Sequence, residues 1–341
     1  MQYVHSIAFL GCRFGTFFYG LLIPLFSVSF LVLMMLPSCQ NVARAQNEQK
    51  VPTEAIKDTL NQAFPLPVPP LSMTSPREKA VYILEHYWDA CNFDDPLLYT
   101  QHPAILERSF VDFLAIAQSL PDDVALPQLM TPANRACGEL FDMFDVLYRK
   151  YLHEQEGAFV NERYYQAALE WFIASPKSSF AIVERDKHLL RIARLNEVGN
   201  VATNFSFVLA NGEIKRLTDY TNNKYTLLIF FDPSCSRCED TTRKLADDIF
   251  FSNMVATSQL NVLYISTIEE PPFDPDNQSV LPPFAVVGHN ADGYVANVPL
   301  YDISKTPSIY LLDKRGKVLE KNATIEEIKA HLKSLLSAKK N

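Results

Sequence analysis

The chain has 341 residues, 48% of them hydrophobic, and a formal net charge of -8. This is apolar material enough for roughly two domains with cores of their own, and it excludes disorder over most of the length. The acidic balance leaves no basic excess to hold phosphate backbones, so nucleic acid is excluded as a partner and small molecules or proteins remain.

From Phe14 to Pro37 no residue is charged, Arg13 lies just before the run, and the run ends in LMMLPSCQN. Residues 1–38 therefore read as an export signal. The four residues Leu36-Pro37-Ser38-Cys39 resemble a bacterial lipobox, in which Cys39 would carry lipid and anchor the chain to a membrane, although Pro37 departs from that pattern. Two rival readings stay open: cleavage after Ala43-Arg44-Ala45, and an uncleaved anchor, since the run exceeds the roughly 20 residues a spanning helix needs. All three place the rest of the chain in the cell envelope, facing the periplasm or the outside. Disulfides persist there. With Cys12 inside the signal and Cys39 assigned to lipid, Cys91, Cys137, Cys235 and Cys238 remain for the folded part.

Residues 39–74 are rich in Gln, Asn and Pro and include FPLPVPPLSMTSP, which reads as a tether stiffened at its Pro-rich end. A helix is expected from Ser75-Pro76-Arg77-Glu78, which combines an N-cap, a proline at the first helical position and a glutamate placed for a capping box. Apolar residues then recur at helical spacing at Leu106, Phe110, Phe113, Leu114 and Ala117, and at Leu140, Met143, Phe144 and Leu147 after a Thr131-Pro132 start. Two further helical stretches lie around Tyr164 to Ile173 and Ile182 to Leu195. Residues 75–195 thus form an expected all-α domain.

The period changes near Gly199. NFSFVLANGEIKRL alternates around Asn211-Gly212, a hairpin signal, while YTLLIFF and LNVLYIS are continuous apolar runs of the kind buried on both faces of a sheet. Between them Cys238, Thr242, Leu245 and Ile249 mark one helical face. SIYLLD, an Asp313 to Gly316 turn and KVLE read as a second hairpin. Thr324-Ile325-Glu326-Glu327 caps a last helix with Ile325, Ile328, Leu332 and Leu335 inward. The order is hairpin, strand, helix, strand, a long interruption, hairpin, helix.

The chemistry centres on FFDPSCSRCED. A strand that enters C-x-x-C as a helix begins places Cys235 at a helix N-terminus, where partial positive charge favours the thiolate that attacks disulfides. Cys235 is then the nucleophile, and Cys238, one turn along, resolves the mixed disulfide. Arg237 would lower the Cys235 pKa, while Glu239 and Asp240 oppose it, so the redox direction stays open. A metal clip needs about four ligands, and the scattered histidines supply no partners. An inert structural disulfide stays open as the bland alternative.

Residues 196–341 resemble a thioredoxin-like domain of the exported thiol-disulfide oxidoreductase type, similar to those that act in cytochrome maturation. LLIFFDPSCSRCEDTTRKL, YDISKTPSIYLLDKRGKVLEK, the extra N-terminal hairpin and the insertion at about 267–298 carry the resemblance. It implies an α/β thioredoxin-like fold, no cofactor, and a cis bond at Thr306-Pro307 that faces the Cys pair and helps to bind substrate backbone. It also implies exported protein thiols or disulfides as substrates and a membrane thiol carrier as electron source. Residues 75–195 resemble a helical domain of unknown function that precedes such domains. Two departures stand out: Ser234 replaces the family's tryptophan, and Ile229 stands where thioredoxin itself has a buried aspartate that assists proton transfer. A slower or differently poised exchanger follows from them.

Cys91 and Cys137 are candidates for a second, structural bridge, with a buried free thiol as the alternative. The aromatic group His86, Tyr87, Trp88, Tyr148, Tyr151, Tyr164, Tyr165, Trp171 and Phe172 reads as core rather than a peptide groove. Acidic pairs such as Asp122-Asp123 read as solvated surface. The sequence therefore points to an envelope thiol-disulfide oxidoreductase; the alternative is a thioredoxin-like binding or scaffold protein without catalysis.

Overall fold

The computed structural model describes residues 64–154, 157–268, 281–291 and 299–338. The export signal, Cys39 and most of the tether lie outside the described residues. Among the described residues no helix is long and apolar enough to cross a membrane. The chain divides into two compact units between Leu147 and Tyr148.

The first unit is helical. Helix α1 (Pro76–His86) starts as its sequence predicts, with the Ser75 side chain accepting the Glu78 N–H at 3.5 Å. After α2 (Pro96–Gln101), α3 (Pro103–Gln118) buries Leu106, Phe110, Phe113, Leu114 and Ala117, the five positions set by its period. Then follow α4 (Asp122–Leu129), α5 (Thr131–Arg135) and α6 (Glu139–Arg149). The expected helix starting at Thr131 is thus split in two. Gly138 between the halves has φ +55, a left-handed conformation that interrupts the helical hydrogen-bond ladder and that glycine adopts without a Cβ clash. Trp88 is fully enclosed, edge-on to Phe113 and Phe144 at 5.4 and 5.2 Å, so this part of the aromatic group is core.

Cys91 corrects an expectation. It is a free, buried thiol at the end of a 3-10 turn (Tyr87–Ala90), so the candidate bridge to Cys137 is not formed. Burial pushes its pKa up to about 11, against the pull of the neighbouring Tyr99 hydroxyl. Such a thiol is unreactive.

The second unit opens with a π-helical turn (Lys150–Glu154), followed by α7 (Glu162–Ala174) and α8 (Phe180–Ala193). These helices share a compact unit with the sheet, whereas the sequence alone places a boundary at 195/196. The link is Lys321, whose buried ammonium pairs with Glu162 at 2.5 Å and donates to the Ala193 carbonyl.

The sheet contains β1 (Ser206–Leu209), β2 (Ile214–Arg216), β3 (Tyr225–Phe231), β4 (Leu260–Ser266), β5 (Val286–Asn290), β6 (Ser308–Asp313) and β7 (Val318–Lys321), in the spatial order β2-β1-β5-β4-β3-β6-β7. Strands β3, β4 and β5 are parallel, and β6 runs antiparallel to β3. All seven residues of β3 are buried, and its alternation explains why the run is continuous: Leu227 and Ile229 enter one core with Leu245, Val262 and Leu332, while Leu228 and Phe230 enter another with Phe205, Leu263 and Tyr310.

Three helices complete the unit: α9 (Ser236–Asp247), α10 (Ile249–Ala256) and α11 (Ile325–Ser337). The capping box at Thr324 and Glu327 is present on α11, with both backbone N–H groups satisfied at 3.2 and 2.8 Å. Ile249 does not continue the Cys238 face. Asp248 caps a new helix by accepting the Phe250 N–H at 2.9 Å, which turns Ile249 out to 75% exposure.

The long interruption also proves to contain a strand. β5 joins the first hairpin to β4, and Gly288 makes this register feasible, because a Cβ there would stand 2.6 Å from the Phe207 ring.

Candidate active site

Strand β3 delivers the chain into Asp232-Pro233-Ser234, a tight turn held by the Asp232 carboxylate, which accepts the Ser234 N–H and hydroxyl at 2.8 and 2.7 Å. Cys235 is the N-cap of α9, and its carbonyl accepts the Cys238 and Glu239 N–H groups at 3.0 and 3.3 Å. The first sulfur therefore lies where unsatisfied helix N–H groups converge.

The two thiols differ. Cys235 is partly exposed and Cys238 is 4% exposed. At Cys235 burial raises the pKa, but hydrogen bonds with the Cys238 side chain and backbone, with Thr306 and with the Arg237 backbone N–H outweigh it, and the pKa falls below the ordinary 9.0. At Cys238 burial dominates and pushes the pKa up to about 12. Cys235 is thus the more exposed and more acidic of the two thiols.

Thr306-Pro307 is cis, as the resemblance implies, and the Cys235 thiol donates to the Thr306 carbonyl at 3.4 Å. The structure therefore brings Cys235, Cys238, Thr306 and Pro307 together across a sequence gap of about 70 residues. Arg237 acts on Cys235 through its backbone N–H, while its side chain lines a neighbouring cleft. Cys91 and Cys137 lie in the other compact unit, and Cys39 lies outside the described residues.

Ile229 is fully buried in β3, so the place of an assisting acid is apolar. Its partner on β4 is Tyr264, also buried. Burial raises the Tyr264 pKa against the pull of the Thr242 side chain, and a charge on Cys238 would raise it further. Sequence reasoning missed it because a tyrosine in an apolar strand carries no distinguishing pattern.

The cleft beside the thiols has a volume of about 550 Å³. Arg237 and Lys244 of α9, Pro307, and Ala323 ahead of α11 form one part of its lining; Val160 and Glu162 form another. Also lining the cleft, His153 stacks on Tyr165 at 4.4 Å with rings 3° from parallel, and its Nε2 meets the Ser304 hydroxyl at 3.1 Å. Burial lowers the His153 pKa and raises that of Glu162, the latter against the attraction of Lys321. No local pattern marks these residues, since Glu162 and Lys321 are 159 positions apart. Among the described residues no three His, Cys, Asp or Glu side chains are grouped to hold a metal ion.

Residues 38–196 match the model of a domain of unknown function (DUF5106). The structure is similar to that of a thioredoxin-like protein from Bacteroides caccae, with 31% identity, a TM-score of 0.71, and coverage of 79% of this chain and 97% of that one. A conserved protein of unknown function from Bacteroides fragilis is 33% identical over 40% of this chain and 98% of its own, with a TM-score of 0.38. The thioredoxin domain of a thiol-disulfide oxidoreductase from Bacteroides vulgatus is 21% identical over 41% of this chain and 97% of its own, with a TM-score of 0.34. No curated protein matches the chain. The chain belongs to the thioredoxin-like family, with a helical region of unknown function ahead of the thioredoxin-like fold.

Proposed function

We propose that this protein is a thiol-disulfide oxidoreductase of the cell envelope, held at a membrane through its N-terminal segment and acting on disulfides of exported proteins. The observation that carries the reading is the asymmetry of the two sulfurs: Cys235 partly exposed with a lowered pKa, Cys238 buried with its pKa near 12. A structural disulfide has no use for such a difference, whereas stepwise exchange requires it.

In the reducing direction the Cys235 thiolate attacks one sulfur of a substrate disulfide. A mixed disulfide forms and the other substrate sulfur leaves as thiolate. Cys238 then gives up its proton, attacks the Cys235 sulfur and expels the second substrate thiol. Substrate gains two electrons and the protein is left with a Cys235–Cys238 disulfide, which a thiol donor returns to the dithiol. The membrane thiol carrier expected from the family resemblance would supply these electrons. Thr306 and Pro307 shape the groove beside the attacking sulfur.

The test is a pair of substitutions in the reduced protein. Cys235→Ser should lower the reduction rate of insulin disulfides at least about a thousandfold. Cys238→Ala should instead accumulate a mixed disulfide on Cys235, visible by mass spectrometry. Full activity in Cys235→Ser, or no adduct in Cys238→Ala, would favour a binding module, a reading that the apolar Ile229 and the absent tryptophan at Ser234 support.

A further inference from the structure

The resolving thiol has to form an anion among apolar groups. Cys238 is buried in a core that it shares with Leu227, Ile229, Leu245, Val262 and Leu332. Resolution of the mixed disulfide needs its thiolate, and a charge in such a core is unfavourable unless hydrogen-bond donors meet it. Hydrogen bonds with the Asp232 backbone and the Thr306 side chain offset only part of the burial, which leaves the pKa at about 12. One turn along α9 stands the hydroxyl of Thr242, also buried, but its hydrogen is already donated to the Cys238 carbonyl at 2.6 Å.

Tyr264 brings a second hydroxyl into this core. It stands beside Ile229 in the parallel register of β3 and β4, is 1% exposed, and meets the Phe231 ring edge-on at 5.5 Å. Its hydroxyl has no hydrogen-bond partner among the described residues. A buried O–H left unpaired is destabilising, and native interiors keep few of them. The phenol faces the Cys238–Thr242 turn, since the Thr242 side chain pulls its pKa down and a charge on Cys238 would push it up. A phenol that holds its proton more tightly beside a charged sulfur is a donor to that sulfur, not a competing anion. Tyr225, the other phenol of the same core, lies at the start of β3, away from the Cys pair.

We propose that Tyr264 serves the resolving step, its otherwise unpaired hydroxyl donating to the Cys238 sulfur when that sulfur ionises. The proposal rests on the exchange reading and adds a residue to it. Cys238 loses its proton to the buffer, and the Tyr264 O–H turns to the new thiolate. The thiolate attacks the Cys235 sulfur: the Cys235–Cys238 bond forms, the bond from Cys235 to the substrate sulfur breaks, and the substrate sulfur leaves with the electron pair. The phenol keeps its proton throughout. Its donor is unsatisfied in the resting protein and satisfied in the step that needs it, so it favours the reacting state over the ground state.

The experiment follows the full-length reduced protein and its Tyr264→Phe variant after mixing with 5,5′-dithiobis(2-nitrobenzoate), by acid quenching and peptide mass spectrometry. Growth of the Cys235 adduct reports attack, and its decay to the Cys235–Cys238 disulfide reports resolution. Tyr264→Phe removes one unpaired oxygen, so its melting temperature should equal or exceed the wild-type value. The expected result is an unchanged attack rate and a resolution rate about tenfold slower, with any given resolution rate reached about one pH unit higher. Equal resolution rates in the two proteins overturn the proposal and leave the exchange reading standing. A variant that melts well below the wild type, or slows in both steps, also overturns it, since the hydroxyl would then serve the fold and not the sulfur. A wild-type protein that forms no Cys235 adduct, or one whose adduct never decays to the internal disulfide, removes the exchange reading itself.

Discussion

Both compact units bury aromatic rings, but the second buries more charged side chains than the first. Up to Leu147 the interior is built on Tyr87, Trp88, Tyr99, Phe110 and Phe113, and Ser109 and Asp145 are the buried polar side chains among its described residues. From Tyr148 on, Lys321, Asp302, Asp186, Thr242 and Asn290 are all withdrawn from water, several of them around the cleft and the Cys pair. Desolvating a charge is unfavourable unless partners compensate, and packed aromatic rings carry no such requirement. The contrast separates a unit with one buried charge, Asp145, from one that holds several charged and polar groups at set positions inside an equally aromatic interior. Both thiols of the proposed chemistry lie in the second.

The sharpest way to break this contrast is Trp88→Ala. Removing the ring that meets Phe113 and Phe144 should destabilise the first unit by about 3–5 kcal/mol in urea unfolding. Below the transition the rate of reduction of a small disulfide should not change. A loss of that rate in the folded protein would show that the aromatic core also sets the thiols.

Next in size is Lys321→Met. It leaves Glu162 and the Ala193 carbonyl without their cation, and because the Glu162 side chain keeps 33% exposure the loss should be about 3 kcal/mol, the low end for a broken buried pair. Adding Glu162→Gln should recover part of it. If Lys321→Met unfolds at the wild-type urea concentration, the pair is not what joins α7 and α8 to the sheet.

The smallest effect concerns pH. A lowered pKa populates thiolate at lower pH, so the alkylation rate of Cys235 by iodoacetamide should rise with pH with its midpoint below pH 9.0. Cys238, pushed up to about 12, should add no second rise in the working range. A single titration at or above pH 9.0 would contradict the asymmetry.

Much of the second unit was legible because its signals are local. The continuous apolar runs of β3 and β4, the Asn211-Gly212 hairpin, the capping box at Thr324 and the C-x-x-C at a helix start each depend on neighbours in sequence. The cis bond at Thr306-Pro307 was legible only through family resemblance, since the residues alone do not distinguish it from an ordinary X-Pro bond. What escaped was non-local or conformational. Strand β5 lay inside a stretch read as an insertion, because its five residues contain a glycine and end in polar Gly288-His289-Asn290. The break at Gly138 and the new cap at Asp248 divided helices whose apolar period continued across them. The cleft wall depends on Lys321 meeting Glu162 and on His153 meeting Ser304, pairings that no local pattern announces.

The measurement that tests the central claim most directly is the equilibrium reduction potential of the Cys235/Cys238 pair, determined on the purified protein against a glutathione or dithiothreitol series. The account predicts a value between about -120 and -270 mV, the range of exchange-active dithiols. A value well below about -300 mV would mark an inert structural disulfide and contradict it.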